Sequence, residues 1–248
     1  MSADDPEPRP AFYALSPGGW RDYWTLLHPP YTLWHLSYVA IGASLAPVLN
    51  VRWLAETLVA FLLAMGIGAH ALDELHGRPL GTRIPDGALV ALAVAGVAGA
   101  VALGVHGAIV VSPWILAFIA VGVVLVPAYN LEWFGGALHS DRWFAVAWGA
   151  FPALTAFFAQ TGRLTVAAVA AAGSCVAVSS AQRALSTPVR RLRRHVERVE
   201  GTMTMRDGAV EPVDAAALRA VPESALRLLS IAMPLIGLAM VLAAVARS

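Results

Sequence analysis

Residues 88–111 read ALVALAVAGVAGAVALGVHGAIVV and contain no Asp, Glu, Lys or Arg. A helix needs about 20 mostly apolar residues to cross the hydrocarbon core of a bilayer. Comparable apolar stretches occur over residues 31–49, 53–75, 114–129, 143–160, 164–185 and 225–246. The sequence therefore predicts an all-α integral membrane bundle of about seven transmembrane helices.

The overall composition agrees with this class and excludes others. Of the 248 residues, 58% are hydrophobic and 13% are charged, whereas a typical globular domain has about 25% charged residues. The formal net charge of +1 gives no indication of a nucleic-acid partner. We expect membrane lipids and an isoprenoid or other lipid substrate as partners, and the sequence leaves the oligomeric state open.

The arginines are distributed unevenly between the two sides of the predicted bundle. Most lie on the side of the N-terminus and the even-numbered loops: Arg9, Arg21, Arg78, Arg83, Arg142 and the cluster over 183–219. The opposite side holds Arg52, Arg163 and Arg247. Because an excess of Lys and Arg favours the cytoplasmic side, we expect a multi-pass protein of the inner (cytoplasmic) membrane with a cytoplasmic N-terminus.

This topology divides the chain into four parts. Residues 1–30 are expected to form a cytoplasmic N-terminal segment with an interfacial helix, and residues 31–185 a six-helix transmembrane core. Residues 186–224 form a basic cytoplasmic loop, and residues 225–246 the last transmembrane helix. Within the loop, residues 189–199 place apolar side chains at helical spacing among arginines, which predicts an amphipathic helix on the inner leaflet.

Ionisable and polar residues concentrate at three predicted cytoplasmic span ends, which marks candidate functional sites in a membrane protein. The group at the end of the second span comprises His70, Asp73, Glu74 and His76. The group between the fourth and fifth spans comprises Tyr129, Asn130, Glu132 and His139. The group that ends the sixth span includes Gln182 and Arg190. If the second helix continues to Gly77, then His70, Asp73 and Glu74 share one face.

The first two groups contain residue types that bind divalent metals. The candidate ligands are His70, Asp73, Glu74, His76, Glu132 and His139. Magnesium prefers oxygen ligands, so Asp73 and Glu74 suit magnesium bound to a diphosphate. Two histidines with a carboxylate suit iron, zinc or manganese instead. We therefore expect a divalent metal as cofactor, with its identity open.

Three short motifs follow one another in the first third of the chain. Residues 27–34 read LHPPYTLW, residues 68–77 read GAHALDELHG and residues 82–87 read TRIPDG. In placement they resemble the first span, the first aspartate-rich motif and the opening of the third span in the UbiA superfamily of intramembrane prenyltransferases. The second aspartate-rich motif of that superfamily is missing, because Gln182 and Ser186 stand in its place.

The resemblance implies a helical bundle with a central cavity open to the cytoplasmic leaflet. In that cavity a divalent metal and basic residues would hold an isoprenoid diphosphate. The implied catalytic residues are Asp73, Glu74 and His76. The implied substrate-binding residues are Arg78, Arg83, Tyr129, Asn130, Gln182 and Arg190.

Three functions remain open at this point. The first is a UbiA-like enzyme that performs prenyl transfer or terpene cyclisation with an altered metal site. The second keeps the fold but uses a histidine and carboxylate centre with iron, zinc or manganese to oxidise or hydrolyse a lipid. The third is a non-catalytic lipid-binding membrane protein, since fold does not fix function.

Overall fold

The computed structural model describes residues 9–247, which fold mainly into helices. The helices are α1 (Trp20–Leu26), α2 (Pro29–Ser44), α3 (Val51–Leu75), α4 (Asp86–Val110), α5 (Ile115–Asn130), α6 (Asp141–Thr161), α7 (Val166–Arg194) and α8 (Ala215–Val245). Helices α3 and α6 contain the π-helical segments Leu62–Ala69 and Val146–Ala150, and a 3-10 turn covers Phe134–Gly136. Strands β1 (Gly201–Thr204) and β2 (Val210–Val213) form an antiparallel hairpin between α7 and α8.

Several of these helices have the dimensions of membrane spans. Helices α3, α4, α6 and α8 are long and apolar enough to cross a bilayer, and α5 is a shorter apolar helix. All seven apolar stretches of the sequence coincide with helices, α2 to α8. The fold is therefore a mostly helical bundle of the multi-pass membrane type.

Side-chain caps explain where several helices begin and end. Four residues each accept a hydrogen bond from the backbone N–H three positions further on, and so cap α3, α6, α7 and α8: Asn50, Ser140, Thr165 and Asp214. Such caps satisfy one of the backbone donors that a helix start leaves unpaired. Gly162 ends α6 in the left-handed conformation at φ 67°, which glycine adopts without a Cβ penalty.

Helix α2 lies in the centre of the bundle and packs against α6 and α8. A Cβ at Gly42 would lie 2.1 Å from the carbonyl oxygen of Ala153 on α6, so only glycine permits this close approach. Trp34 Nε1 donates to the Tyr38 hydroxyl at 2.7 Å, and Ser179 Oγ of α7 donates to the same oxygen at 3.1 Å. Glycine contacts and buried hydrogen bonds are the means by which helices associate in lipid.

The bundle has two chemically different ends. We call the end where α3, α5 and α7 stop and α2, α4, α6 and α8 start the polar end, and the opposite one the far end. Helix α1 packs at the polar end, buries Asp22 and exposes Trp20, Tyr23 and Trp24. Helix α1 falls within residues 1–30, for which the sequence predicts an interfacial helix, and exposed Trp and Tyr are typical of membrane interfaces. Residues 1–8 of that segment lie outside the described residues.

The structure differs from the expectation for residues 186–224. The stretch 189–199 forms no separate surface helix, because α7 continues through Pro188 to Arg194. Val189 is buried in the core and Arg190 faces the interior, so packing against the bundle extends α7 beyond its apolar part. The exposed hairpin follows, and α8 starts at Ala215, well before residue 225.

Candidate functional site

A cavity of about 320 Å³ lies at the polar end of the bundle. Its wall comes from α2, α3, α5, α6 and α7, together with residues 10–13. We call it the polar cavity, because five of the seven histidines line it: His28, His35, His70, His76 and His139. Its charged residues are Asp73, Glu132, Arg183, Arg190 and Arg194.

Most of the site residues expected from the sequence meet in this cavity. They are His70, Asp73, His76, Tyr129, Asn130, Glu132, His139, Gln182 and Arg190. They come from the end of α3, the end of α5 with its following loop, and the end of α7. The three predicted groups, although distant in sequence, therefore face a common space.

Glu74 does not line the polar cavity. Its side chain is fully buried. The carboxylate accepts hydrogen bonds from the backbone N–H groups of Leu80 at 3.0 Å and Thr82 at 2.8 Å. The catalytic and metal-binding roles expected for Glu74 are therefore replaced by a structural one, in which it holds the loop after α3.

Arg78 and Arg83, expected to bind substrate, also lie outside the cavity wall. Arg78 adopts a left-handed conformation, donates to the carbonyl oxygens of Thr82 and Ile84, and pairs with Asp86. The side chain of Arg83 is exposed. Both arginines thus belong to the loop between α3 and α4.

Three cavity histidines are held in a defined tautomer by backbone carbonyls. His35 Nδ1 lies 2.9 Å from the Trp148 oxygen, His70 Nδ1 3.1 Å from the Gly66 oxygen, and His139 Nδ1 2.9 Å from the Tyr129 oxygen. A carbonyl oxygen only accepts, so each Nδ1 donates. In the neutral ring the lone pair is then on Nε2. Each ring therefore presents Nε2 as an acceptor or metal ligand.

His28 was not among the expected site residues, yet it lines the cavity. It adopts a left-handed conformation at φ 46° between α1 and α2, and its ring centroid lies 4.3 Å from that of His70. Burial and the neighbouring His70 lower the pKa of His28 well below its ordinary value, so the ring is neutral. Its Nδ1 is hydrogen-bonded to the Tyr13 hydroxyl, and its Nε2 is buried without a partner among the described residues. The sequence signal was the basic residue before Pro29.

The three arginines of the cavity wall differ in whether a carboxylate pairs with them. Arg183 pairs with Asp141 at 2.6 Å. Arg190 donates to Thr187 Oγ1 at 3.4 Å, and Arg194 donates to the Pro10 carbonyl oxygen at 3.2 Å. Among the residues that the structure describes, neither Arg190 nor Arg194 has a carboxylate within ion-pair distance. A cavity wall with unpaired guanidinium groups favours an anionic ligand.

A cluster of candidate metal ligands forms only in part. Glu132 lies 4.0 Å from His76 Nε2 and 3.9 Å from His139 Nδ1, at the exposed side of the cavity. Within residues 9–247, no three His, Cys, Asp or Glu side chains come together as a group that holds a metal. The expected ligands His70, Asp73, Glu74, His76, Glu132 and His139 are therefore not assembled into one centre.

A second cavity, of about 130 Å³, lies towards the far end between α3, α4, α5 and α6. We call it the apolar cavity, because its wall is almost entirely aliphatic and aromatic. Met65 and Trp148 line both cavities. The two cavities therefore adjoin, one with a polar wall and one with an apolar wall.

In comparisons with known proteins, no family model, no curated protein and no solved structure matches the chain.

Proposed function

We propose that this chain is an intramembrane UbiA-like enzyme that binds an isoprenoid diphosphate and performs prenyl transfer or terpene cyclisation. The observation that carries the proposal is the adjacency of the two cavities. Unpaired Arg190 and Arg194 face the polar cavity, which meets the apolar cavity at Met65 and Trp148. We further propose seven spans in the inner membrane, with the polar end in the cytoplasm, where most of the arginines lie.

The diphosphate head would occupy the polar cavity. Guanidinium groups bind phosphate oxygens through paired hydrogen bonds, so Arg190 and Arg194 are the expected contacts. In the tautomer that carries its ring hydrogen on Nε2, His28 would donate a further hydrogen bond to the head. Asp73 would hold magnesium on the diphosphate, since Mg²⁺ is commonly bound by one or two carboxylates plus substrate phosphates. Such an ion would neutralise the charge that develops on the leaving diphosphate.

The allylic carbon of the substrate would lie where the two cavities meet. In the reaction, the bond between this carbon and the diphosphate oxygen breaks and the electron pair leaves with the diphosphate. Aromatic rings stabilise an adjacent cation through their π faces. Tyr129, Phe144 and Trp148 line the polar cavity on this side, and the Tyr129 and Trp148 rings meet edge to face at 5.8 Å. They would shield the allylic cation until an acceptor or an internal double bond attacks it.

The test compares two adjacent arginines of α7. Arg190 lines the polar cavity, whereas Arg191 is exposed. We expect Arg190→Gln to weaken binding of farnesyl diphosphate to purified protein by about tenfold or more, because a charge-assisted contact is lost, and Arg191→Gln to leave it unchanged. Calorimetric titration in detergent measures both. Equal effects of the two substitutions, or no binding to the parent protein, would contradict the proposal.

A measurement of turnover distinguishes the proposed enzyme from a non-catalytic lipid-binding protein. Release of inorganic diphosphate from farnesyl diphosphate in the presence of Mg²⁺, lost in Asp73→Asn, is the result expected of an enzyme. Binding without such release would favour the non-catalytic alternative.

The metal-dependent oxidase or hydrolase is a second candidate, and one observation favours it. The segments that carry His76 and His139 meet at Glu132, as that function requires. Elemental analysis of purified protein tests it: about one equivalent of iron, zinc or manganese, lost in Glu132→Gln, would favour this candidate over diphosphate chemistry.

A further inference from the structure

A largely buried ion network joins the end of α7 to the first part of α8. Glu223 of α8 is 7% exposed, and the side chain of its partner Arg193 on α7 is 11% exposed. Arg193 Nη2 donates to Glu223 Oε2 at 2.6 Å and to Oε1 at 2.9 Å, and Arg227 Nη2 donates to Oε1 at 2.8 Å. These three residues lie outside both cavity walls. The network therefore makes no contact of its own with a ligand in either cavity.

The last turns of α7 depend on such contacts for their position. Pro188 lies inside α7, and a proline lacks the backbone N–H that would bond to the carbonyl oxygen four residues earlier. Beyond Pro188, Val189 is the only buried residue of the segment 189–194. The ion pair between Arg193 and Glu223 is therefore a main contact by which this segment is fixed to the bundle.

The ion pair also sets the direction in which two cavity arginines point. Arg190 and Arg194 both line the polar cavity, and residues four positions apart lie on one face of a helix. At about 100° per residue, Arg193 lies about 60° from Arg190 and about 100° from Arg194 around the helix axis, to one side of the cavity-facing surface. A rotation that broke the ion pair of Arg193 would therefore turn Arg190 and Arg194 out of their places in the wall.

We propose that Glu223 is a positioning residue, which holds Arg190 and Arg194 towards the polar cavity by fixing the end of α7. It acts without touching the ligand, since it lies outside both cavity walls. The binding of a diphosphate by these arginines rests on the proposed function, whereas their orientation by Glu223 does not.

The sign of one substitution distinguishes positioning from a direct effect of charge. A purely electrostatic effect of Glu223→Gln would strengthen the binding of an anion, because a negative charge is removed. Positioning predicts the opposite, because the ion pair that fixes the end of α7 is broken. We expect Glu223→Gln to weaken binding of inorganic diphosphate about fivefold, measured by calorimetric titration in detergent. Unchanged or stronger binding would overturn the proposal.

Glu223→Asp is a milder variant, which keeps the carboxylate and shortens the side chain by one methylene group. It is expected to keep part of the ion network and to weaken diphosphate binding less than Glu223→Gln does. Weaker binding by Glu223→Asp than by Glu223→Gln would mean that the carboxylate is not what positions α7, and would overturn the proposal.

Gln160→Leu is the matched control for a loss of stability elsewhere in the bundle. Gln160 is buried at the far end, where its amide group is hydrogen-bonded to the backbone N–H and carbonyl oxygen of Asn50 at 2.8 and 3.1 Å. The substitution removes both hydrogen bonds and lowers the Tm, but leaves the end of α7 intact. Binding of inorganic diphosphate to Gln160→Leu should equal that of the parent protein.

A double-mutant cycle with Arg190→Gln tests whether Glu223 acts through the cavity arginines. Two substitutions that disturb the same contact have non-additive effects. We expect Arg190→Gln to weaken binding of inorganic diphosphate about tenfold in the parent protein and about twofold in the Glu223→Gln background. In the Gln160→Leu background the full effect of Arg190→Gln should remain. Additive effects of Arg190→Gln and Glu223→Gln would overturn the proposal.

Amide hydrogen exchange tests the positioning without any ligand. We expect exchange over residues 189–194 to become about tenfold faster in Glu223→Gln, because this segment opens more easily, and exchange over residues 166–180 to stay unchanged. Gln160→Leu should leave both rates unchanged. Unchanged exchange over residues 189–194 in Glu223→Gln would overturn the proposal. Absence of diphosphate binding by the parent protein would contradict the proposed function alone, since the exchange rates still decide whether Glu223 holds the end of α7.

Discussion

The polar and apolar cavities share Met65 and Trp148 and differ in almost every other residue of their walls. Among the described residues, Glu56 is the one charged side chain of the apolar wall, whereas the polar wall holds two carboxylates and three arginines. Helix α3 serves both, with its first half facing the apolar cavity and its last turns the polar one. Polar groups thus gather where helices end and loops supply hydrogen-bond partners, while the middle parts of the helices form an apolar wall.

Two carboxylates of α3, Glu74 and Glu56, offer the largest contrast between the two ends. Glu74 is fully buried and accepts two backbone N–H groups. In Glu74→Gln an amide NH₂ faces one of those donors, so we expect a loss of about 3 kcal/mol in unfolding free energy. Glu56 pairs with Arg52 and His106 at a partly exposed site, so Glu56→Gln is expected to cost less than about 1 kcal/mol.

Thermal unfolding in detergent measures this difference between the two variants. A markedly lower Tm is expected for Glu74→Gln than for Glu56→Gln. Equal Tm values would show that the loop after α3 does not depend on Glu74. If Glu74→Gln instead retained the parent Tm but lost a bound metal, the ligand role expected from the sequence would be restored.

A substitution that fills the apolar cavity tests whether this cavity holds the hydrocarbon chain of the ligand. Gly122 lines it, and a Cβ there would lie 3.7 Å from the Phe151 ring, an ordinary contact. We expect Gly122→Leu to weaken binding of geranylgeranyl diphosphate by about tenfold, since the added side chain takes space that the hydrocarbon would fill. Binding of inorganic diphosphate, which has no chain, should stay unchanged.

The same substitution at Gly173 provides the control for Gly122→Leu. A Cβ at Gly173 meets nothing within 4 Å, and this residue lies on α7 outside both cavity walls. Gly173→Leu should therefore bind both ligands as the parent does. Equal weakening of the two ligands by Gly122→Leu would mean that the apolar cavity does not hold the chain.

The helices were largely predictable from sequence, because long apolar runs leave the chain few alternatives to a helix in a membrane. The end of α7 was not, since the sequence predicted a separate surface helix over 189–199, whereas α7 continues to Arg194 and places this arginine in the cavity wall beside the predicted Arg190. The periodicity of α3 placed Asp73 and Glu74 on one face. The loop after α3 folds back over Glu74 and separates their roles, and a loop path of this kind has no local sequence signal.

The candidate site was predictable where polar residues stood out against apolar sequence. His70, Asp73 and His139 are conspicuous for this reason, and they do line the polar cavity. His28 was missed because its role depends on a left-handed backbone and on Tyr13, a residue distant in sequence. The apolar cavity had no sequence signal either, because a void between helices depends on how side chains of different helices pack.

The smallest predicted effect is that of Gln182→Met. This substitution is expected to raise stability and to weaken ligand binding. Its Oε1 atom is buried in the wall of the polar cavity without a hydrogen-bond partner among the described residues. Leaving a buried acceptor unpaired costs about 1–3 kcal/mol, so Gln182→Met, which keeps the volume, should raise the unfolding free energy by about 1 kcal/mol. An amide oxygen cannot donate to a diphosphate, so it could serve this ligand only by binding a cation held with the diphosphate. If it does so, the same substitution should weaken binding of the diphosphate lipid in the presence of Mg²⁺ a few-fold. Ser186→Ala, one turn further along the same wall, is the control, because its hydroxyl already donates to the Arg183 carbonyl oxygen. A higher Tm without weaker binding in Gln182→Met would mean that this oxygen takes no part in ligand recognition, and the polar end would then owe its function to Arg190 and Arg194 alone.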